Sequence, residues 1–223
     1  MDKLFVPLDI YCEQINPGLW SEPINAVTNI LILAAGFLGL WQVRVRKTGT
    51  FAELLCWWVV GIGLGSLLFH TTALELTKWA DIVPIATFTL AMMLFALRRF
   101  ARLSWARTLV YSACYFVFIA IVTYLLPNSV HAATNGTTFY LPALGGNVFC
   151  GLVALANRGP GGWYALACAG ILLVGFFFRA IDQEVCASFP IGTHFLWHVL
   201  IAAMLALNLL GVARHGAPLP KSA

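Results

Sequence analysis

Seven apolar stretches, each close to the length that crosses a bilayer, leave this 223-residue chain few ways to fold. They fall at about 25–43, 52–69, 79–97, 108–126, 138–156, 162–178 and 192–212, and a hydrocarbon core takes about 20 residues of helix to span. Within hydrocarbon the backbone must satisfy its own polar groups, so such stretches become helices. The expected fold class is all-α: a polytopic membrane protein built as a seven-transmembrane helix bundle. The fifth and sixth stretches are interrupted by glycines and lie near the length threshold, which makes a six-span chain the alternative. With 61% hydrophobic and 10% charged residues and a mean hydropathy of +0.86, a water-soluble domain is excluded. Short connections imply a single domain over 1–223, with 1–24 as an outer segment and 213–223 as a tail. The first apolar run follows some two dozen mixed residues without an obvious cleavage motif, so no removable signal peptide is expected.

Lysine and arginine set the orientation. Segments after the odd-numbered spans, together with the tail, carry Arg44, Arg46, Lys47, Arg98, Arg99, Arg102, Arg107, Arg158, Arg214 and Lys221, ten of the thirteen basic residues. Lys3, Lys78 and Arg179 fall on the other side. This partition predicts a cytoplasmic C-terminus and an N-terminus outside, where Asp2, Asp9, Glu13, Glu22, Glu75, Asp182 and Glu184 also gather. The net charge of +4 is then a topology signal. No basic patch is interleaved with aromatics, so no nucleic acid is expected as a partner. The partners implied are the bilayer and a lipid, with no obligate protein partner. Short loops and the absence of a retrieval motif point to a bacterial plasma membrane, an endomembrane being the alternative. Gly61, Gly63 and Gly65 lie inside a span and have no strand–turn–helix context, which excludes a nucleotide loop.

Chemistry concentrates at the outer ends of three spans. Ser66 and His70 are four residues apart and share a helical face. Asp81 follows His70 by eleven residues and opens the next span. His194 and His198 repeat the four-residue spacing where the last span begins. One histidine in a membrane helix is often a packing residue. Three histidines and an aspartate brought to one depth favour a metal site, provided the second, third and seventh helices are neighbours.

Two further groups lie outside the spans. Asp9, Glu13, Glu22 and Asn16 or Asn25 offer oxygen ligands of the kind calcium prefers, and a solvated acidic loop is the alternative. Asn25 and Asn29 share one face of the first span and need partners in the bundle. Cys56, Cys114, Cys150 and Cys168 fall in spans as small apolar groups. Cys12 and Cys186 both lie outside, either as a disulfide or as two thiols.

Taken together, Cys12-Glu13, the run Trp20-Ser21-Glu22-Pro23-x-Asn25, Gly65-Ser66-x-x-x-His70 with Asp81, Asp182-x-x-x-Cys186 and Gly192-Thr193-His194-x-x-x-His198 resemble the alkaline ceramidase family. That family belongs to a wider superfamily of seven-span membrane hydrolases that includes adiponectin-receptor-like proteins. The resemblance runs over nearly the whole chain. It implies zinc on His70, His194 and His198, Asp81 as the group that holds and deprotonates water, and Ser66 as the residue that steadies an oxyanion. It also implies a Cys12–Cys186 disulfide. For calcium it offers Glu13 and Glu22, with Asp9 or Asn16 substituting where Ile10, Tyr11 and Ile15 depart from the family's Asp-Trp-Cys-Glu-x-Asn pattern. The implied activity is zinc-dependent cleavage of the N-acyl amide of a ceramide-like lipid. A hydrolase of another lipid ester or amide, or a non-catalytic seven-span receptor, is the alternative.

Overall fold

The computed structural model of the chain describes residues 2–14 and 18–218. Seven helices in it are long and apolar enough to cross a membrane: α1 (Pro23–Val45), α2 (Thr50–Thr72), α3 (Glu75–Phe100), α4 (Trp105–Leu125), α5 (Thr137–Ala156), α6 (Gly161–Ala180) and α7 (His194–His215). Each coincides with one apolar stretch of the sequence, and the six-span alternative falls. Among the described residues there is no strand, only an isolated bridge between Pro7 and Leu74.

Local chemistry places the helix ends. Pro23 opens α1, where its missing N–H costs nothing. The α2 helix stops at Ala73, whose φ of 47° turns the chain while its N–H bonds back to the Phe69 carbonyl. Ser104 caps α4 through its side chain. The last helix has a remote cap: Asp182 Oδ1 accepts from Thr193 N at 2.7 Å and His194 N at 2.9 Å, satisfying amides that the helix start leaves free.

The helices close into a ring. The α1 helix packs between α2 and α7, α2 against α3, α6 between α5 and α7, and a lighter seam joins α3 to α5. Outside this ring α4 leans on α3 and α5. Large apolar side chains such as Phe37, Trp57, Leu64, Phe118, Leu152 and Leu173 remain exposed around the perimeter, as a lipid-facing surface requires. The neighbours α2, α3 and α7 are those that the polar motifs need.

One close approach fixes the α2–α3 register. A Cβ on Gly65 would lie 2.1 Å from the Ala80 carbonyl oxygen, so only glycine lets the backbones meet there. The residues after each contact point are Ser66 and Asp81. The N-terminal segment then runs across the end of the bundle where α2 finishes and α3 begins. Leu8 N bonds to Ala73 O, Ser21 N to Thr71 O and Glu22 N to His70 O.

Candidate metal centre

His70 comes from the last turn of α2, His194 from the first residue of α7, and His198 from one turn further along. Their imidazole centroids are 4.6 Å apart for His70–His198 and His194–His198, and 5.2 Å for His70–His194. One nitrogen of each ring lies within 4.8 Å of the other two, and all three residues are buried. Metal ions require such convergence of unprotonated imidazoles, and three nitrogen donors leave one tetrahedral position open for chemistry.

The tautomers are arranged for this. His70 Nδ1 lies 2.6 Å from Glu22 Oε2. His198 Nδ1 lies 3.0 Å from Thr28 Oγ1, which can pass its own proton to the carbonyl of Ile24 or Asn25. Each contact holds a proton on Nδ1 and leaves Nε2 free for a metal, the arrangement by which outer partners orient metal-binding histidines. His194 Nδ1 is buried with no hydrogen-bond partner, a polar atom that a protein ligand does not satisfy. The donor set and this orphaned atom fit zinc.

Ser66 and Asp81 line one cavity with His194 and His198, and the cavity continues inward between Ile85, Phe88, Met92, Ile201 and Met204. Asp81 is buried and its Oδ1 has no partner. The arrangement joins a polar head, where a proton can be taken up, to an apolar lining that runs down α7 past Ile201, Met204 and Leu205.

The N-terminal segment and the α6–α7 connection hold this head in place. Cys12 and Cys186 form a disulfide with Cα atoms 5.3 Å apart, bridging 174 residues. Beside it, Cys12 N donates to Asp182 Oδ2 at 3.0 Å, so Asp182 ties the N-terminal segment to the start of α7. Gly192, at φ 63°, passes so close that a Cβ would meet Asp182 Oδ1 at 2.2 Å. Tyr11 stacks on His194 with centroids 3.6 Å apart.

The acidic residues of the N-terminal segment have other partners. Glu13 accepts from the backbone N–H of Ile24 and, at 2.7 Å, of Asn25, capping α1. Burial raises its pKa, and those two N–H groups oppose the rise. Glu22 faces His70 and accepts from Asn25 Nδ2 at 3.0 Å, while its burial pushes the carboxyl up to about 7. Asp9 is exposed, and Asn16 lies outside the described residues. Among the described residues, the histidine triad is the group of three or more side chains that could hold an ion. Asn25 and Asn29 find their partners locally, in Glu22 and in the Asn25 carbonyl.

Sequence reasoning placed Arg179 in the last outer loop; it lies inside α6, only 7% exposed, and lines the same cavity. Its position at the very edge of an apolar run was the available signal, because a cation at membrane depth is expensive and marks function. Neither the packing of Tyr11 on His194 nor the Glu22–His70 pair carries a local signature, since the partners are far apart in the chain.

A family model described as Ceramidase matches residues 11–216, nearly the whole chain. No curated protein matches it.

Proposed function

The chain belongs to the ceramidase family, and from that premise we propose that it cleaves the N-acyl amide of a ceramide-like membrane lipid, releasing a long-chain base and a free fatty acid. The observation that carries this reading is the meeting of the His70–His194–His198 triad with Asp81 and Ser66 at the head of an apolar cavity. His70, His194 and His198 would hold zinc. When bound, zinc supplies Lewis acidity: it polarises a carbonyl and acidifies water.

The chain's own residues supply the rest. Asp81, with Oδ1 free, takes a proton from the attacking water and returns it to the departing nitrogen. Ser66, one turn before His70 and beside Asp81, donates its hydroxyl to the oxygen on which negative charge develops. Glu22 and Thr28 fix the rings of His70 and His198. Phe88, Met92, Ile201 and Met204 receive the acyl chain and keep bulk water from the amide.

The same reading places residues 1–24 outside and 213–223 in the cytoplasm of one membrane domain, in a bacterial plasma membrane. Its support is the charge partition, with ten of thirteen basic residues in the segments that follow the odd-numbered spans and in the tail of the sequence. Reporter fusions after Arg46 and Arg102 should both give a cytoplasmic signal; an external signal from both overturns the orientation.

Metal analysis of the purified protein, with H70A, H194A and H198A, tests the activity. The wild type should hold about one zinc per chain and release fatty acid from N-acyl sphingoid lipids, and each variant should lose both. Zinc and turnover surviving all three substitutions would sink the reading.

A further inference from the structure

The three histidines of the centre are not held alike. His70 Nδ1 faces Glu22 Oε2 at 2.6 Å, and His198 Nδ1 faces Thr28 Oγ1 at 3.0 Å. His194 Nδ1 has no hydrogen-bond partner among the described residues, although the residue is buried. The His194 backbone is fixed, since its N–H donates to Asp182 Oδ1 at 2.9 Å, but the torsion of its ring is intrinsically broad. A metal ligand needs its ring held in one orientation, and a hydrogen bond to the outer nitrogen is the usual means. Something else must hold this one.

The structure offers Tyr11. Its ring lies face to face on His194, with centroids 3.6 Å apart and planes 15° from parallel. An imidazole covered on one face by a phenol ring cannot turn without opening that contact. Tyr11 is itself fixed at its far end, where Arg179 Nη1 donates to Tyr11 Oη at 2.7 Å. Arg179 reaches that point from the last turn of α6. Three rings wedge its guanidinium, with Cζ 5.0 Å from the centroid of Tyr140, 5.3 Å from Tyr11 and 5.6 Å from Trp197. Tyr11 and Arg179 are both buried, so water does not compete for the bond between them. Neither belongs to the group of converging ligand atoms.

We propose that Tyr11 and Arg179 are positioning residues, which do for His194 what Glu22 and Thr28 do for His70 and His198. Arg179 anchors the phenol, and the phenol ring sets the plane of the imidazole. The role rests on the zinc reading of the centre and adds how the third ligand is aimed. It also gives the segment before α1 a second part in the centre, since Tyr11 and Glu22 both come from it.

Charge alone makes the opposite prediction for Arg179. A guanidinium near the histidines repels a divalent ion, so removing it would tighten metal binding. The carboxylates of Glu22, Asp81 and Asp182 stay in place in such a variant, so the sign of the change isolates what Arg179 does.

Zinc affinity by chelator competition, and the visible absorption of the cobalt(II)-loaded protein, read the centre without turnover. Y11L, which removes the stacked ring, should weaken zinc by about 10–100-fold and alter the cobalt spectrum. Y11F, which keeps the ring and loses the hydroxyl, should fall between Y11L and wild type in both. R179M should weaken zinc despite the lost repulsion, yet weaken it no further in the Y11L background, because it acts through Tyr11. Zinc affinity and cobalt spectrum unchanged in Y11L overturn the proposal. So does zinc held equally or more tightly by R179M, or a further loss when R179M is added to Y11L. If Y11L does not fold, Y11F and R179M decide by the same signs. If the protein binds zinc but releases no oleate from N-oleoylsphingosine, the amidohydrolase reading fails, while the metal measurements still decide the roles of Tyr11 and Arg179.

Discussion

Glu22 Oε2 stands 2.6 Å from His70 Nδ1, with both side chains buried, 48 residues apart in sequence. A carboxylate behind a metal-binding imidazole fixes its ring and raises its basicity, and losing it typically costs about 10–100-fold in metal affinity. E22A should therefore weaken zinc binding by about that factor, and E22Q, which retains an acceptor, by less. Competition against a chelator of known affinity measures both. H70A, which removes the ligand itself, should exceed either. Equal zinc affinity in E22A and wild type would show that Glu22 only packs against the ring.

Gly65 and Gly61 lie one turn apart on α2 and should respond in opposite ways. A Cβ at Gly65 collides with the Ala80 carbonyl, whereas a Cβ at Gly61 meets nothing within 4 Å. G65A must push α3 away from α2, parting Asp81 from Ser66 and costing about 1–3 kcal/mol through overpacking. G61A should be neutral or slightly stabilising, because alanine loses less chain entropy than glycine. Thermal midpoints and fatty-acid release of the two variants, measured side by side, check this. Equal behaviour of the pair overturns the account of the α2–α3 contact.

The order of the spans, their lengths and the convergence of His70, Asp81, His194 and His198 were legible because they depend on hydropathy and on helical spacing, which are local properties. Gly65 was visible only as a residue inside a span, since its role depends on which helix lies opposite. Glu22 read as an acidic loop residue suited to calcium, because nothing local says that the chain doubles back over His70. Arg179 was counted among the loop charges, since hydropathy alone cannot distinguish a cation at a span's edge from one turned inward onto three aromatic rings.

Asp81 separates catalysis from metal binding. It lines the cavity but is not one of the three residues whose ligand atoms converge. D81N should keep zinc and lose turnover by about 10²–10⁴-fold, the usual contribution of a positioned acid–base group. Its thermal midpoint should change little, because asparagine keeps the volume and an acceptor for the Ser66 hydroxyl, and relief of the buried carboxylate's desolvation offsets the lost attraction to Arg179. Zinc content, oleate release and melting of the same preparation give the three readings. Loss of zinc together with activity would make Asp81 a ligand instead.

The disulfide should protect the metal centre as well as the fold. Cys12 follows Tyr11, which stacks on His194, and the Cys12 N–H bonds to Asp182, whose other oxygen caps the start of α7 at Thr193 and His194. Cutting the Cys12–Cys186 bond frees the N-terminal segment from that end of α7, where two of the three histidines sit. C12S and C186S should each lose about 2–4 kcal/mol of stability. Both should also release zinc to a chelator faster than wild type. Because the two cysteines act as one bond, the double variant should be no worse than either single one, a departure from additivity expected of residues in direct contact. Alkylation and intact-mass measurement with and without reductant establish the bond in the wild type. Chelator-driven zinc loss, followed alongside thermal unfolding, then reads out its effect. Unchanged zinc retention in a destabilised C12S protein would confine the bridge to a structural role and separate it from the centre.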